Sequence, residues 1–172
     1  MAKTLVIYYS RKGQNYVNGN IVDLPKGNTE IVAEFIQKAV GADLFEVETK
    51  KSYAIDYTQC TVEAKAELRD NARPELVKML ESVAEYDHIV VAGPCWWGTY
   101  PVAVFTQLEA LDFNGKKVFP VVTHEGSGIA GAPAALRKYC QGAVVGEGLA
   151  IQGGAAAGSE AKVAVWAKKN LA

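Results

Sequence analysis

Ser10 closes the apolar run Leu5-Val6-Ile7-Tyr8-Tyr9, and Gly27-Asn28-Thr29 opens a helix-like stretch further on. A helix start presents unpaired N–H groups and a partial positive charge, so a phosphate placed at Asn28-Thr29-Glu30-Ile31 would be stabilised, with the Ser10 and Thr29 hydroxyls as further donors. The segment from Arg11 to Lys26 is far longer than the two to six residues usual between a strand and a helix, and loops of that length tend to be functional or mobile. Within it, Arg11, Lys12 and Asn15 are placed to close over a phosphate, and Tyr16 to cover a ribose or a ring.

Two other apolar runs end in loops of a different kind. Ile89-Val90-Val91-Ala92 leads into Gly93-Pro94-Cys95-Trp96-Trp97-Gly98-Thr99-Tyr100-Pro101, which holds three large aromatics and two glycines. Such a loop offers an aromatic wall and close backbone approach to a flat ligand. The directions of Trp96 and Trp97 should differ, one toward the core and one toward a ligand. Val118-Phe119-Pro120-Val121-Val122 leads into Thr123-His124-Glu125-Gly126-Ser127-Gly128, whose backbone N–H groups and Ser127 hydroxyl suit the edge of a ring. Cys95 has no resolving cysteine and no local cation in sequence, and reads as a small packing residue. One phosphate-type loop and two ring-type loops together point to a flavin.

The elements that must position these loops alternate along the chain. Strand-like runs at roughly 3–9, 43–49, 87–92, 117–122 and 143–151 are continuously apolar, which marks parallel strands buried on both faces. Helices are predicted after Asn28-Thr29, with the stripe Ile31, Val32, Phe35, Ile36, Ala39 and Val40 stopped by Gly41; after Pro74, through Leu76, Val77, Leu80 and Val83; after Pro101; near Pro133; and over about 159–170. Residues 153–158 read as a flexible connector. The expectation is a single α/β domain over 1–172: a doubly wound, five-stranded parallel sheet of order 2-1-3-4-5 with helices on both faces. Ligands bind such sheets beyond the carboxyl ends of the strands, where the order reverses, and all three loops fall there.

Composition excludes several classes. With 18 Lys+Arg against 19 Asp+Glu the chain carries a formal charge of −1 and no basic stripe, so neither nucleic acid nor anionic lipid is an expected partner. No apolar run approaches a membrane span, the five-residue N-terminal run is too short for a signal peptide, and a cytoplasmic location is expected. Cys60, Cys95 and Cys140 are scattered, without CxxC spacing, so no metal site or disulfide framework is readable.

Taken together, Tyr8-Tyr9-Ser10-Arg11, Asn15-Tyr16-Val17, Gly27-Asn28-Thr29-Glu30, Trp96-Trp97-Gly98-Thr99 with Pro101, and Thr123 to Gly128 resemble the flavodoxin-like FMN-binding family, in particular its short bacterial flavoproteins with an expanded phosphate loop. The resemblance covers most of the chain. It implies FMN as cofactor, electron transfer as activity, and a redox partner protein or small electron acceptor. By position it places Ser10, Asn28 and Thr29 at the phosphate and Pro94 to Gly98 and Thr123 to Gly128 around the ring. Two departures stand out: the compact phosphate turn of the family is split by the long segment after Ser10, and the chain is nearly neutral where electron shuttles of the family are strongly acidic.

Other readings compete. An NAD(P)H-dependent FMN or quinone reductase would use the same fold. A Rossmann-type site is suggested by Gly126-Ser127-Gly128-Ile129-Ala130-Gly131, with Glu147 about 20 residues on, although the match falls on the fourth strand. A hydrolase built on Ser127 and His124 lacks the glycine its elbow needs, because Glu125 stands there. A receiver domain would need an acceptor Asp where Gly93-Pro94 stands.

Overall fold

The computed structural model describes residues 2–172. Strand β1 (Thr4–Tyr8) is buried along its whole length and is followed by two strands of a separate hairpin, β2 (Gly13–Val17) and β3 (Asn20–Leu24). Then come α1 (Asn28–Val40), β4 (Asp43–Glu46), α2 (Tyr57–Arg69), β5 (His88–Pro94), α3 (Val102–Leu108), β6 (Lys117–His124), α4 (Ala132–Tyr139), β7 (Val144–Val145), β8 (Leu149–Gln152) and α5 (Glu160–Leu171). The main sheet runs β4-β1-β5-β6, with β7 and β8 both on the outer edge of β6, and every pairing in it is parallel. With β7 and β8 taken as one interrupted strand, this is the expected 2-1-3-4-5 order.

Both faces of the sheet are covered, and the strands divide their side chains between them with the period of two that a pleat imposes. Leu5, Ile7, Ile89 and Val91 join one core layer with α3, α4 and the segment around Leu76 and Val83. Val6, Tyr8, Val90 and Ala92 join the other with α1 and α5. Helix α1 buries Thr29, Val32, Ala33 and Ile36 and ends at Gly41, whose left-handed φ of 69° lets its N–H reach the Gln37 carbonyl.

Four expectations need correcting. The second helix is not at 76–83 but at α2, where Asp56 caps the start by accepting the Gln59 N–H at 2.8 Å. The signal was an Asp-x-x-Gln box before a run of strong helix formers. It was hidden because α2 buries only Cys60 and Ala64, too few for an apolar stripe. The apolar spacing at Leu76, Val77, Leu80 and Val83 instead serves an irregular segment. Leu76 bridges Thr49, and the fully buried Gln107 amide pairs with both backbone groups of Leu80, at 2.8 and 2.9 Å. Those bonds replace the helical ladder that the segment forgoes.

The second correction concerns the segment from Arg11 to Lys26, which is a folded hairpin. Its two-residue turn, Asn18-Gly19, has φ of 53° and 86°, the pattern of a type I′ turn. Asn-Gly between Gln14-Asn15-Tyr16-Val17 and Asn20-Ile21-Val22-Asp23 is a strong hairpin signal in the sequence itself. Thirdly, the connector at 153–158 begins as a 3-10 turn, Gly153–Ala155, with Gly153 and Ala156 buried. The run 143–151 is broken at Gly146-Glu147-Gly148, where a Cβ on Gly146 would collide with Phe119.

Candidate functional site

At the carboxyl ends of β1, β5 and β6 the chain forms a cleft of about 130 Å³. Arg11, Asn15, Tyr16, Asn28, Thr29, Pro94, Cys95, Trp96, Thr123, His124 and Glu125 all line it. Residues from three distant stretches therefore meet where the strand order reverses, as an open parallel sheet requires of its ligand site.

The α1 end is built by close approach. A Cβ on Gly27 would lie 2.6 Å from the Arg11 carbonyl oxygen and closer still to Ser10 Oγ, so only glycine fits. Ser10 Oγ accepts the Glu30 N–H at 3.1 Å, whereas no acceptor is found for the N–H groups of Asn28 and Thr29 among the described residues. Gly27 is the N-cap and supplies no side-chain oxygen. Two free donors on a helix dipole suit an anion. The Thr29 hydroxyl is turned inward, 2.8 Å from the Thr123 hydroxyl, and ties the first loop to the third.

At the opposite end the Trp96-Trp97-Gly98-Thr99 turn is of type I′, with φ of 56° at Trp97 and 85° at Gly98 and backbone bonds closing Trp96 to Thr99. Trp96 packs edge-on against Tyr9 and Tyr53, at centroid distances of 5.1 and 5.2 Å, and still borders the cleft. Trp97 points elsewhere. It is 52 % exposed, lies over α2 and donates its Nε1–H to the Thr61 carbonyl at 3.0 Å. The two tryptophans do diverge, yet the one packed on the core is also the one at the cleft.

The hairpin closes the mouth. Tyr16 stacks on Tyr57 with ring planes 19° apart, Gln14 accepts the Tyr57 N–H at 2.8 Å, and the Asn18 N–H donates to Glu125 Oε1 at 2.7 Å. Burial raises the pKa of Tyr57, so its phenol stays protonated and able to donate. His124 Nδ1 accepts the Gly126 N–H at 2.9 Å, which shapes the third loop.

Not every predicted site residue reaches the cleft. Ser10 supports it from behind, and Lys12 faces a larger hollow of about 520 Å³ beside β4. That hollow is lined by Glu30, Glu46 and Glu48 against Arg11 and Lys12, so its carboxylates outnumber its cations and disfavour a phosphate despite its size. Trp97, Gly98, Gly126, Ser127 and Gly128 form the loops without lining the cleft. The structure adds Tyr57 and Gly153, which sequence reasoning missed because their helix and turn were misplaced. Glu147, the acidic partner a Rossmann-type site would need, is engaged with Lys169 and Asn170 on α5.

Comparison with known proteins fits this architecture. A family model described as Flavodoxin matches residues 24–170. The chain belongs to the flavodoxin family. Among solved structures, a candidate flavoprotein from Bacteroides uniformis ATCC 8492 is 30% identical, with 97% of this chain and 98% of that one covered and a TM-score of 0.75. Another from Bacteroides eggerthii DSM 20697 is 25% identical, with 98% of each chain covered and a TM-score of 0.77. A flavoprotein of Lactobacillus acidophilus NCFM, solved in complex with FMN, shares the fold at 20% identity and a TM-score of 0.63, over 87% of this chain and 93% of that one. No curated protein matches significantly. The family match begins at residue 24, after β1 and most of the hairpin.

Proposed function

We propose that the cleft holds FMN non-covalently and that the protein works as an electron-transfer flavoprotein. The observation that carries this reading is the meeting of the α1 start, the Pro94-Cys95-Trp96 turn and the Thr123-His124-Glu125 loop in one cleft. The residues present fit the cofactor: two unpaired N–H groups on a helix start for the phosphate, aromatic surfaces of Trp96, Tyr16 and Tyr57 for the ring system, and polar backbone around Thr123 to Glu125 for its edge. Bound FMN supplies the redox chemistry, by taking up and releasing one or two electrons.

The chain's own residues bind, orient and tune. Asn28 and Thr29 N–H groups would hold the anionic tail, and Trp96, fixed by Tyr9 and Tyr53, would present a rigid wall. The Glu125 carboxylate lines the cleft and would place negative charge beside a bound ring. The hairpin excludes water by lying across the mouth. At about 130 Å³ the cleft is smaller than the roughly 300 Å³ typical of a ligand-enclosing site. The Asn18 to Glu125 bond holds the hairpin beside this cleft, so loading is expected to involve its opening. A yellow protein as purified, releasing FMN on heating, is the expected result; a colourless protein that stays colourless after incubation with FMN would contradict it.

A reductase of the same fold is the second reading, favoured by a further cavity of about 270 Å³ that shares Arg11, Tyr57, Cys95 and Trp96 with the cleft. Rapid bleaching of the loaded protein by NADPH alone would select this reading, and absence of bleaching would select the shuttle.

A further inference from the structure

We propose that this adjoining cavity, between the Trp96-Trp97 turn and α2, is a binding site for a flat aromatic anion of two fused rings. It deepens the reductase reading and rests on the cofactor reading in one respect, that FMN fills the neighbouring cleft and leaves the cavity free.

The first support is the state of Arg11. Its guanidinium is fixed by three carbonyl oxygens: Nε donates to Gln14 at 2.9 Å, and Nη2 to Ala54 at 2.9 Å and Ile55 at 3.0 Å. Carbonyls orient a cation without neutralising it. Among the described residues no carboxylate lies within ion-pairing distance of Arg11, whereas Arg69 and Arg73 each have one. The carboxylates of Glu63 and Glu67 line a separate hollow and are engaged by the Ala54 N–H and the Tyr53 hydroxyl. Arg11 thus brings a half-buried guanidinium with no ion-pair partner to the wall of the cavity, while the carboxylates that share its other two hollows, Glu30, Glu46, Glu48 and Glu125, do not line this one.

The second support is the shape of the walls. Trp96, Trp97 and Tyr57 supply aromatic surface, and the small side chain of Ala64 leaves the floor open. Trp97 does not collapse into the space. Its indole is tethered to α2 by the Nε1–H bond to the Thr61 carbonyl, and Lys65 sits 4.9 Å from its ring on the helix. An apolar cavity of about 150 Å³ accommodates a benzene ring; about 270 Å³ suits a bicyclic one. Aromatic walls with one guanidinium that has no ion-pair partner favour a planar anion over a neutral ring or an aliphatic acid.

The test is calorimetric titration of the FMN-loaded protein with 2-naphthoate and with its neutral isostere 2-naphthamide, while FMN affinity is followed separately by flavin fluorescence. The expected result is one naphthoate per chain, bound at least tenfold more tightly than the amide. Arg11→Gln should bring the two ligands within about twofold of each other. Ala64→Phe should weaken naphthoate at least tenfold with FMN affinity unchanged, and Thr61→Phe, which fills the same space from a less buried position, decides the matter if Ala64→Phe does not fold. Equal affinity for acid and amide, no binding, or loss of FMN in both filled variants would overturn the proposal, the last because the cavity would then be part of the cofactor's own seat. Should the protein take no FMN at all, the cofactor reading falls. The same titrations on the FMN-free protein then judge the cavity alone: the same variant pattern supports it, and its absence overturns it.

Discussion

Gly27 has no room for a side chain, since a Cβ there meets the Arg11 carbonyl and the Ser10 hydroxyl that brace the α1 start. Gly27→Ala is expected to cost about 1–3 kcal/mol, as overpacking against backbone does, and to weaken FMN more than tenfold by displacing the free N–H groups. An unchanged melting temperature together with unchanged affinity would refute that role. The buried Thr29 and Thr123 hydroxyls satisfy one another. Thr29→Val or Thr123→Val alone strands a buried polar group, at about 1–3 kcal/mol, while the double variant should lose clearly less than the sum. Additive losses in denaturant unfolding would show that the two hydroxyls do not act as a pair. Residue types in the loops were legible before the structure: 11 of the expected contacts do line the cleft. What sequence could not show is which way a hydroxyl or an indole turns, because Thr29 and Trp97 are aimed by partners 94 and 36 residues away.

Among the elements, the hairpin stands apart from the main sheet. It pairs only with itself and rests on the body through Gln14, Tyr16, Asn18 and Arg11. Deleting residues 13–24 should leave a folded protein, with far-ultraviolet circular dichroism reporting an intact sheet, and should speed FMN release at least tenfold. Unchanged release would mean that the hairpin does not cover the cofactor. The strands were readable because burial on both faces makes them continuously apolar. The helix expected after Pro74 from apolar spacing lies instead at α2, whose signal is its cap. Helix α2 has a capped start but little to bury, and the later segment has helical spacing but a buried glutamine serving its backbone. The hairpin was missed for a related reason, since its strands are largely exposed or half-buried and carry turn chemistry rather than hydrophobicity as their signal.

Across the whole molecule the ion pairs are mostly exposed and contribute little, so pH acts mainly through carboxyls that burial perturbs. Burial and the neighbouring Glu48 raise the pKa of Glu46, and burial raises that of Glu67. A carboxyl whose folded pKa exceeds its unfolded one binds its proton more tightly in the native state. Its contribution is therefore complete below the ordinary value of about 4.5 and is lost as pH rises through the folded value. Glu46→Gln should raise the melting temperature at pH 7 and leave it unchanged near pH 4; a larger gain at pH 4 than at pH 7 would reverse the assigned sign. Fold and strand order were legible at this scale because right-handed crossovers leave few ways to arrange alternating strands and helices. The near-neutral charge was equally plain.

The central claim is that three loops at one rim of the sheet grip FMN. Its most direct measurement is titration of the cofactor-free protein with FMN, followed by flavin fluorescence and by melting temperature. Quenching that saturates at one FMN per chain, with a rise in melting temperature that riboflavin reproduces only weakly because it lacks the phosphate, is the predicted result. Well-folded protein that neither quenches excess FMN nor gains thermal stability would contradict the account.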